Sequence, residues 1–192
     1  MCRRESLDLG GKALFSGADS SVRYQAESPF VCKPFYDLAV QRQYYHEQDC
    51  LSGLESRASA GLNCPLDGAA GGQRITAELG LLNNQALRSA RLGGDRQGWQ
   101  FKADWQVPAA GGMLRAQLSH VQLDDREGFS ELLDSGAARE VERSYILLQY
   151  SRPVAALGAN SSLLLNVYRQ IQSSNIEFFR TSNTSAEIGI SW

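Results

Sequence analysis

Acidic and basic side chains occupy the polar positions of several segments in which polar and apolar residues alternate. Acidic and basic groups are interleaved, so a face made of them could line a water-filled path or guide a charged substrate. The same groups could instead pair across neighbouring strands and fill a narrow interior. We predict that the following residues face inward together: Asp8, Lys12, Arg23, Asp37, Glu55, Arg57, Glu78, Lys102, Asp104, Arg115 and Glu187.

Four cysteines, Cys2, Cys32, Cys50 and Cys64, could take part in redox or metal chemistry. Their spacing matches neither a CxxC pair nor a zinc ribbon, so we predict no metal site among them. Cys32 lies just before one predicted strand and Cys64 just after the next, so a hairpin would bring both to its base. The sequence therefore permits a Cys32–Cys64 disulfide, with free thiols as the alternative.

Two predicted loops carry side chains that bind metals in other proteins. One of them contains His46, Glu47, Asp49 and Cys50, for which a polar turn is a much commoner explanation than a metal site. The other contains Asp124, Asp125 and Glu127, which resemble a calcium-binding patch but lack the EF-hand spacing and its fixed glycine. We therefore expect solvated loops, and we predict no metal and no cofactor.

Enzyme motifs are missing from the sequence. It contains no GxSxG nucleophile elbow and no GxxxxGK[ST] phosphate loop. His46 and His120 are the only histidines, and no serine partner is evident for His120. We predict that the chain is not an enzyme, with a Ser–His pair as the alternative that remains open.

The hydrophobic period of the sequence is two residues, which predicts that these residues lie on β-strands. Between Trp99 and Val107, apolar side chains alternate with Gln100, Lys102, Asp104 and Gln106. In a strand the two sets point to opposite faces, whereas in a helix they would scatter around the axis. The same alternation recurs over Ile75–Leu81, Leu114–Ser119, Ile146–Tyr150, Leu163–Gln170 and Ala186–Trp192.

The front half adds less regular strands, which brings the total to about ten, each near the roughly 9–11 residues that cross a bilayer at a tilt. These strands are marked by Leu7–Phe15, Val22–Tyr24, Leu38–Tyr44 and Leu54–Leu62. No run of roughly 18 apolar residues exists, which excludes a transmembrane helix. The net charge of -2 gives no basic field for nucleic acid.

Connection lengths alternate between short and long, as in transmembrane barrels. The short connection Pro108–Gly112 lies between the long polar connections Asn83–Gly98 and Leu123–Glu142. We predict an all-β fold, an antiparallel transmembrane β-barrel formed by residues 1–192 as a single domain or as the C-terminal part of a larger barrel. A soluble β-sandwich is the alternative.

Aromatic residues are placed as in the two interfacial girdles of such barrels. Trp105, Tyr150 and Trp192 would lie near the periplasmic end, and Trp99 and Tyr44 near the outer end. The start of the chain has no apolar segment of the kind found in a secretory signal. Because an outer-membrane protein must be exported, we expect the signal to lie upstream of a fragment.

The segment Ala186–Trp192 resembles the terminal strand of bacterial outer-membrane proteins, an alternating strand that ends on an aromatic residue. The resemblance implies that the barrel assembly machinery reads Ile188, Ile190 and Trp192. Further motifs are Gly128–Leu133, Ala138–Glu140 with Arg143, Tyr150–Pro153 and Ser174–Phe179. Together they are similar to the C-terminal barrel of outer-membrane proteins with periplasmic tetratricopeptide repeats, closest to the surface lipoprotein assembly modifier family.

This resemblance extends over about residues 95–192 and implies a larger barrel preceded by helical repeats, although the chain has no repeat of roughly 34 residues. It implies location in the bacterial outer membrane, contact with its lipid, and a translocated passenger, either a lipoprotein or a polysaccharide. We therefore expect translocation or surface delivery of a secreted molecule, most of all a surface lipoprotein. The alternatives are an exopolysaccharide export porin and a structural or adhesive barrel that binds a partner through its outer loops.

Overall fold

The computed structural model describes residues 2–9, 12–27, 29–45, 51–66, 72–88, 91–130, 132, 136–154 and 161–191. Side chains are described from Ser16 to Ile190 within these ranges. No helix in this part of the chain is both long enough and apolar enough to span a bilayer.

Ten β-strands follow one another in chain order, and each pairs antiparallel with the next to form one sheet. The all-β antiparallel prediction is confirmed. The strands are β1 (Cys2–Leu9), β2 (Lys12–Gln25), β3 (Lys33–Tyr45), β4 (Gly53–Leu66), β5 (Gln73–Ala86), β6 (Arg96–Ala109), β7 (Gly112–Gly128), β8 (Ala138–Pro153), β9 (Ser162–Ser174) and β10 (Thr181–Ser191), with one turn of 3₁₀ helix at Glu177–Phe179.

The alternating sequence gives the sheet two chemically different faces, because successive side chains of a strand point to opposite sides. The register sets Arg23 opposite Asp37, and Glu78 opposite Lys102, so charged residues from neighbouring strands share one face. On the other face, Leu165 is opposite Ile188. We call these the polar face and the apolar face.

The sheet is open in the part of the chain that the structure describes. The order of strands begins with β1 and ends with β10, and these two edges do not pair with each other. Closure of the sheet into a transmembrane barrel therefore stays a prediction.

The predicted boundaries of the first two strands are wrong. The sequence suggested one strand over Leu7–Phe15 and a short one at Val22–Tyr24, but β2 runs without interruption from Lys12 to Gln25. The chain divides instead at residues 10–11, where two consecutive glycines stand in the sequence. A register shift between Leu7 and Asp8 adds an irregularity to the first hairpin, which period-two alternation cannot reveal.

The predicted long connections are also too long, because the strands extend beyond the alternating segments. β7 continues to Gly128 and β8 begins at Ala138, whereas the sequence suggested a connection over Leu123–Glu142. Similarly, β5 continues to Ala86 and β6 begins at Arg96. The short connection is a turn of two residues between Ala109 and Gly112. That end of the sheet is called the inner end, and the end with the longer connections the outer end.

Candidate functional site

Large exposed side chains cover the apolar face from β2 to β10. They include Val22, Tyr24, Leu38, Val40, Leu62, Leu79, Leu81, Trp105, Leu118, Ile146, Leu148, Val167, Ile188 and Ile190. Soluble monomeric proteins expose apolar residues singly or in small patches, rather than along every strand of a wide sheet. The extent of exposed apolar side chains on this face is therefore unusual for a soluble monomer.

Aromatic residues with a polar group lie near both ends of this face. At the outer end, the Trp99 indole Nε1 donates a hydrogen bond to Gln122 Oε1 at 3.1 Å. At the inner end, the Tyr150 hydroxyl donates to the Ala110 carbonyl at 3.0 Å. Side chains of this kind suit a boundary between an apolar layer and water. Trp192, the third predicted member of the inner girdle, lies outside the described residues.

The polar face carries a group of paired charges in its middle, where Asp37 is bound by two arginines. Its side chain is 6% exposed. Arg23 Nε donates to Oδ2 at 3.2 Å, and Arg57 Nη2 donates to Oδ1 at 3.1 Å. The Arg23 guanidinium also lies 4.6 Å from the ring centroid of Phe35. A carboxylate with two guanidinium partners and an aromatic neighbour keeps its charge compensated despite burial.

Glu78 extends this group, so that we define the middle cluster as Arg23, Phe35, Asp37, Arg57 and Glu78. Glu78 Oε2 lies 3.9 Å from Arg23 Nη2, and its Oε1 accepts a hydrogen bond from Gln100 Nε2 at 3.4 Å. The Arg23–Glu78 contact joins β2 to β5, three strands apart, or roughly 14 Å of sheet. The side chains therefore reach across the polar face and fill the space above it.

Phe35 was not recognised from the sequence as part of the polar face. The ring is almost fully buried, and it lies over Gly61, where a Cβ atom would come within 2.4 Å of Phe35 Cζ. A glycine on β4 facing an aromatic on β3 is the signal that could have identified this contact.

The other residues that we predicted to face inward include some with side-chain partners, one that is exposed, and two whose side chains are not described. Arg115 Nε donates to Asp104 Oδ2, and Glu55 Oε2 accepts from Asn84 Nδ2 at 3.3 Å. Glu187 is exposed, opposite Asn166. The side chains of Asp8 and Lys12 lie outside the described part. The nine predicted residues with described side chains share one face of the sheet, but whether that face lines a lumen stays a prediction.

A disulfide joins Cys32 and Cys64 at the inner end of the sheet. The register explains its position, because Lys33 is opposite Asn63 and Cys32 is the next residue toward the turn. The bond links the β2–β3 connection to β4, directly beneath the strands that carry Asp37 and Arg57. Disulfides persist in oxidising compartments, which include the bacterial periplasm.

A second group of paired charges lies at the outer end of the polar face, around Asp125. This side chain is 2% exposed. Arg96 Nε lies 2.9 Å from Oδ1, and Arg139 Nε lies 3.2 Å from Oδ2. The Arg139 guanidinium packs against a pair of aromatic rings that contact each other edge to face, 4.5 Å from the centroids of both Phe129 and Phe179. We call Arg96, Asp125, Phe129, Arg139 and Phe179 the outer cluster.

The expectation of a solvated loop around Asp125 is wrong. The residue belongs to β7, and two arginines compensate its burial. Among the described residues, no group of three or more His, Cys, Asp or Glu side chains is arranged to hold a metal ion. The other proposed metal-binding set, residues 46–50, lies outside the described residues.

Three of the sequence motifs that carry the family resemblance meet at the outer cluster. Phe129, Arg139 and Phe179 each come from a different one of them. Asn175 links the last two, because its Oδ1 accepts from the Glu140 amide at 2.9 Å and its Nδ2 donates to the Ala138 carbonyl at 2.8 Å. The residues that are distant in the sequence therefore form one packed unit at the outer end.

The β5–β6 connection packs against the same unit. The Glu127 amide donates to the Gly93 carbonyl at 3.2 Å, and the Arg126 amide donates to the Asp95 carbonyl at 2.8 Å. Gly93 has a positive φ of 78°, and a Cβ there would lie 2.0 Å from Asp125 Oδ2. Only glycine allows this close approach to the buried carboxylate.

Arg91, in the same connection, adds a third buried guanidinium to this end of the sheet. It donates to Asn84 through Nη1. Burial lowers the pKa of Arg91, and the charge of Arg139 lowers it further, while Asp125 acts in the opposite direction. Asp95 and Glu55 attract this guanidinium as well, so both arginines and carboxylates gather at this end of the sheet.

His120 has a serine neighbour that the sequence did not reveal. Its Nδ1 lies 3.0 Å from Ser144 Oγ on the apolar face, and its ring packs on Trp99 with 5.1 Å between centroids. The two residues are direct cross-strand partners of β7 and β8, which a reading of local sequence cannot find. Among the described residues, no carboxylate or amide holds the other ring nitrogen, so the pair lacks the third group of a catalytic triad.

Protein-family models, curated proteins and solved structures provide no match to this chain. The geometry alone therefore defines the structural class of this chain. This is an antiparallel meander sheet with an exposed apolar face and an opposite face of ion-paired charges.

Proposed function

We propose that the chain forms the wall of a bacterial outer-membrane β-barrel that serves the translocation or surface delivery of a secreted molecule. The observation that carries this proposal is the contrast between the faces. Leu79 and Leu81 are exposed on one side, whereas Asp37 and Glu78 are buried on the other. A soluble sheet would show the opposite arrangement, because water favours exposed charge and buried leucine.

Lipid is the environment that suits the apolar face. The strands contain from 8 to 17 residues, and most exceed the roughly 9–11 needed to cross a bilayer at a tilt. In lipid, unpaired backbone groups at the edges β1 and β10 would be costly. These edges would therefore pair with each other or with strands supplied by another segment.

The polar face would provide the path for the passenger. Its charges of both signs would contact a hydrated passenger while the wall separates it from lipid. This role is passive and needs no catalytic residue and no cofactor. The family resemblance favours a surface lipoprotein as the passenger, with an exported polysaccharide as the alternative, and it favours the barrel assembly machinery as a partner during insertion.

An adhesive role is the second candidate, and the ordered outer end supports it. The connections there are held by the outer cluster, while Phe178 and Leu132 remain strongly exposed. A rigid rim with exposed apolar tips suits binding of an external partner better than it suits passage.

Ile188→Arg tests the membrane proposal. Ile188 is 78% exposed on the apolar face, and an arginine at mid-bilayer costs about 2–4 kcal/mol. We expect a large loss of folded protein, measured as the fraction that migrates faster without boiling on a gel after refolding in detergent. Glu187→Arg is the matched control, because it introduces the same side chain on the opposite face of the same strand and should fold much more like the wild type.

Equal folding of Ile188→Arg and Glu187→Arg would contradict the assignment of the apolar face to lipid, as would a stable monomer in buffer without detergent. Reconstitution then separates the two roles. Conductance or passenger transfer supports translocation. Binding of a partner that is lost when residues 129–137 are replaced by a short turn, without conductance, supports adhesion.

A further inference from the structure

A groove in the apolar face runs over β4, where the side chains are smaller than on the two neighbouring strands. Ala58 lies between Leu38 on β3 and Leu81 on β5, its direct partners in the register. Both leucines are strongly exposed, at 62% and 69%, and form the walls of a groove of about 350 Å³. Strands β3 and β5 are roughly 9–10 Å apart, which leaves room between the leucines for one extended hydrocarbon chain.

At its outer end the groove opens into a second pocket, which is lined by polar side chains. Leu81 and Asn83 line both spaces, so the two are continuous. Gln97, Asp124 and Arg126 add polar groups to the second pocket, which has a volume of about 420 Å³. The change from Leu81 to Asn83 takes place over roughly 7 Å of β5. An apolar groove that ends in a polar pocket matches the two ends of an amphiphile.

The polar pocket presents one charge of each sign. Arg126 is exposed, and its Nη2 donates to Gln97 Oε1 at 2.9 Å, a contact that uses one of the five donors of a guanidinium. Asp124 Oδ1 is buried and has no hydrogen-bond partner among the described residues. A phosphate suits the guanidinium, and an ammonium group suits the carboxylate. The pocket is therefore complementary to a zwitterionic headgroup, whereas a purely anionic headgroup would meet Asp124 as a like charge.

The position of the pocket on the apolar face agrees with the depth of a lipid headgroup. Trp99 is opposite Leu81, at the level where the apolar side chains end. Its indole Nε1 donates to Gln122 Oε1, and amphipathic rings of this kind lie at the headgroup level of a bilayer. A lipid in the groove would therefore place its acyl chain at hydrocarbon depth and its headgroup beside Arg126.

We propose that the groove and the polar pocket together bind one phospholipid whose headgroup carries a phosphate and an ammonium group. Arg126 contacts the phosphate, Asp124 accepts from the ammonium, and the acyl chain lies over Ala58. This inference rests on the proposed function, because the apolar face must lie in lipid. It goes beyond the general contact of that face with lipid, since it assigns one headgroup chemistry to one place on the wall.

Quenching of Trp99 fluorescence by lipids with brominated acyl chains tests the proposal. In a Trp105→Phe/Trp192→Phe background, Trp99 is the one tryptophan that remains of three. The full chain is refolded into phosphatidylcholine vesicles with increasing fractions of brominated phosphatidylethanolamine or brominated phosphatidylglycerol. Phosphatidylethanolamine should quench at a mole fraction about fivefold lower, because phosphatidylglycerol carries the phosphate without the ammonium.

Two variants in this background test the headgroup and the groove separately. Asp124→Asn should make the two lipids quench equally, and Glu177→Gln is its control, because Glu177 is an exposed acid of the β9–β10 connection at the same end. Ala58→Leu fills the groove and should weaken quenching by both lipids about fivefold. Ala186→Leu is the control for the groove, because Ala186 is an exposed alanine of the same face on β10.

Equal quenching by the two lipids with Asp124 in place would overturn the proposal. An Asp124→Asn variant that keeps the preference would do the same, as would an Ala58→Leu variant that behaves like Ala186→Leu. In these cases a heat-modifiable chain leaves the membrane proposal intact. A chain that never becomes heat-modifiable would instead count against the membrane proposal, and the lipid site would fail with it.

Discussion

Asp37 and Asp125 are both buried aspartates of the polar face that bind two arginines, but their surroundings differ. Arg23, beside Asp37, has a side chain that is 53% exposed. Arg139, beside Asp125, is almost fully buried against two aromatic rings. The middle cluster is therefore open to solvent at Arg23, whereas the outer cluster is more closed, with Arg96 as its more exposed arginine.

The two clusters also connect different parts of the chain. The residues of the middle cluster come from neighbouring strands β2 to β5. Those of the outer cluster come from β6, β7, the β7–β8 connection, β8 and the β9–β10 connection. Charges that are open to solvent, such as Arg23, can change partners, whereas the more closed group holds the outer connections in place. We infer that the middle of the polar face adapts and that its outer end is fixed.

Removal of each aspartate is the change that should separate the clusters most. Asp125→Ala leaves buried guanidinium groups without a carboxylate, which costs about 3–5 kcal/mol of unfolding free energy. Asp37→Ala should cost less, about 1–3 kcal/mol, because water can solvate the exposed Arg23. Urea unfolding of the chain in detergent measures both values.

Asp124→Ala serves as the control for this pair, because Asp124 precedes Asp125 on β7 and belongs to the opposite face, where it is opposite Gln97. Its effect should stay within about 0.5 kcal/mol. An Asp37→Ala variant that is destabilised as much as Asp125→Ala would remove the distinction between an open and a closed cluster.

The Cys32–Cys64 disulfide should stabilise the region of the middle cluster selectively. It closes a loop with a sequence separation of 32 residues, for which chain entropy gives about 3–4 kcal/mol as an upper value. In the Cys32→Ser/Cys64→Ser variant, amide hydrogen exchange should accelerate in β3 and β4 but not in β7 and β8. Reduced wild-type protein is the control for the substitutions. Equal acceleration in all four strands would show that the two clusters belong to one cooperative unit.

The sequence predicted the faces better than it predicted the clusters. Side-chain direction in a strand depends only on position, so alternation was enough to group Asp37, Arg57 and Glu78 on one side. Which residues meet at the outer end depends on strand length and on contacts between distant connections. Asp125 was therefore expected in a solvated loop, and its contact with Arg139 was not foreseen. Whether the sheet closes also depends on contacts between distant parts of the chain. Pairing of β1 with β10 would leave no pattern in the local sequence.

The smallest predicted difference concerns the arginine that lies on a phenylalanine in each cluster. Arg139→Lys loses contacts with two rings and the planar pairing with Asp125. We expect this change to lower the free energy of unfolding by about 1–2 kcal/mol. Arg23→Lys loses one ring contact at an exposed position, which should lower the free energy of unfolding by about 0.2–1 kcal/mol.

A double-mutant cycle, measured by urea unfolding, isolates the stacking energy in each cluster. It combines Arg139→Lys with Phe179→Leu, and Arg23→Lys with Phe35→Leu. A larger coupling at Arg139 would show that the aromatic rings strengthen the outer cluster by excluding water. Every variant of both cycles keeps a lysine or an arginine beside the aspartate. Equal coupling energies in the two cycles would therefore show that the clusters differ in the burial of their carboxylates and not in aromatic stacking.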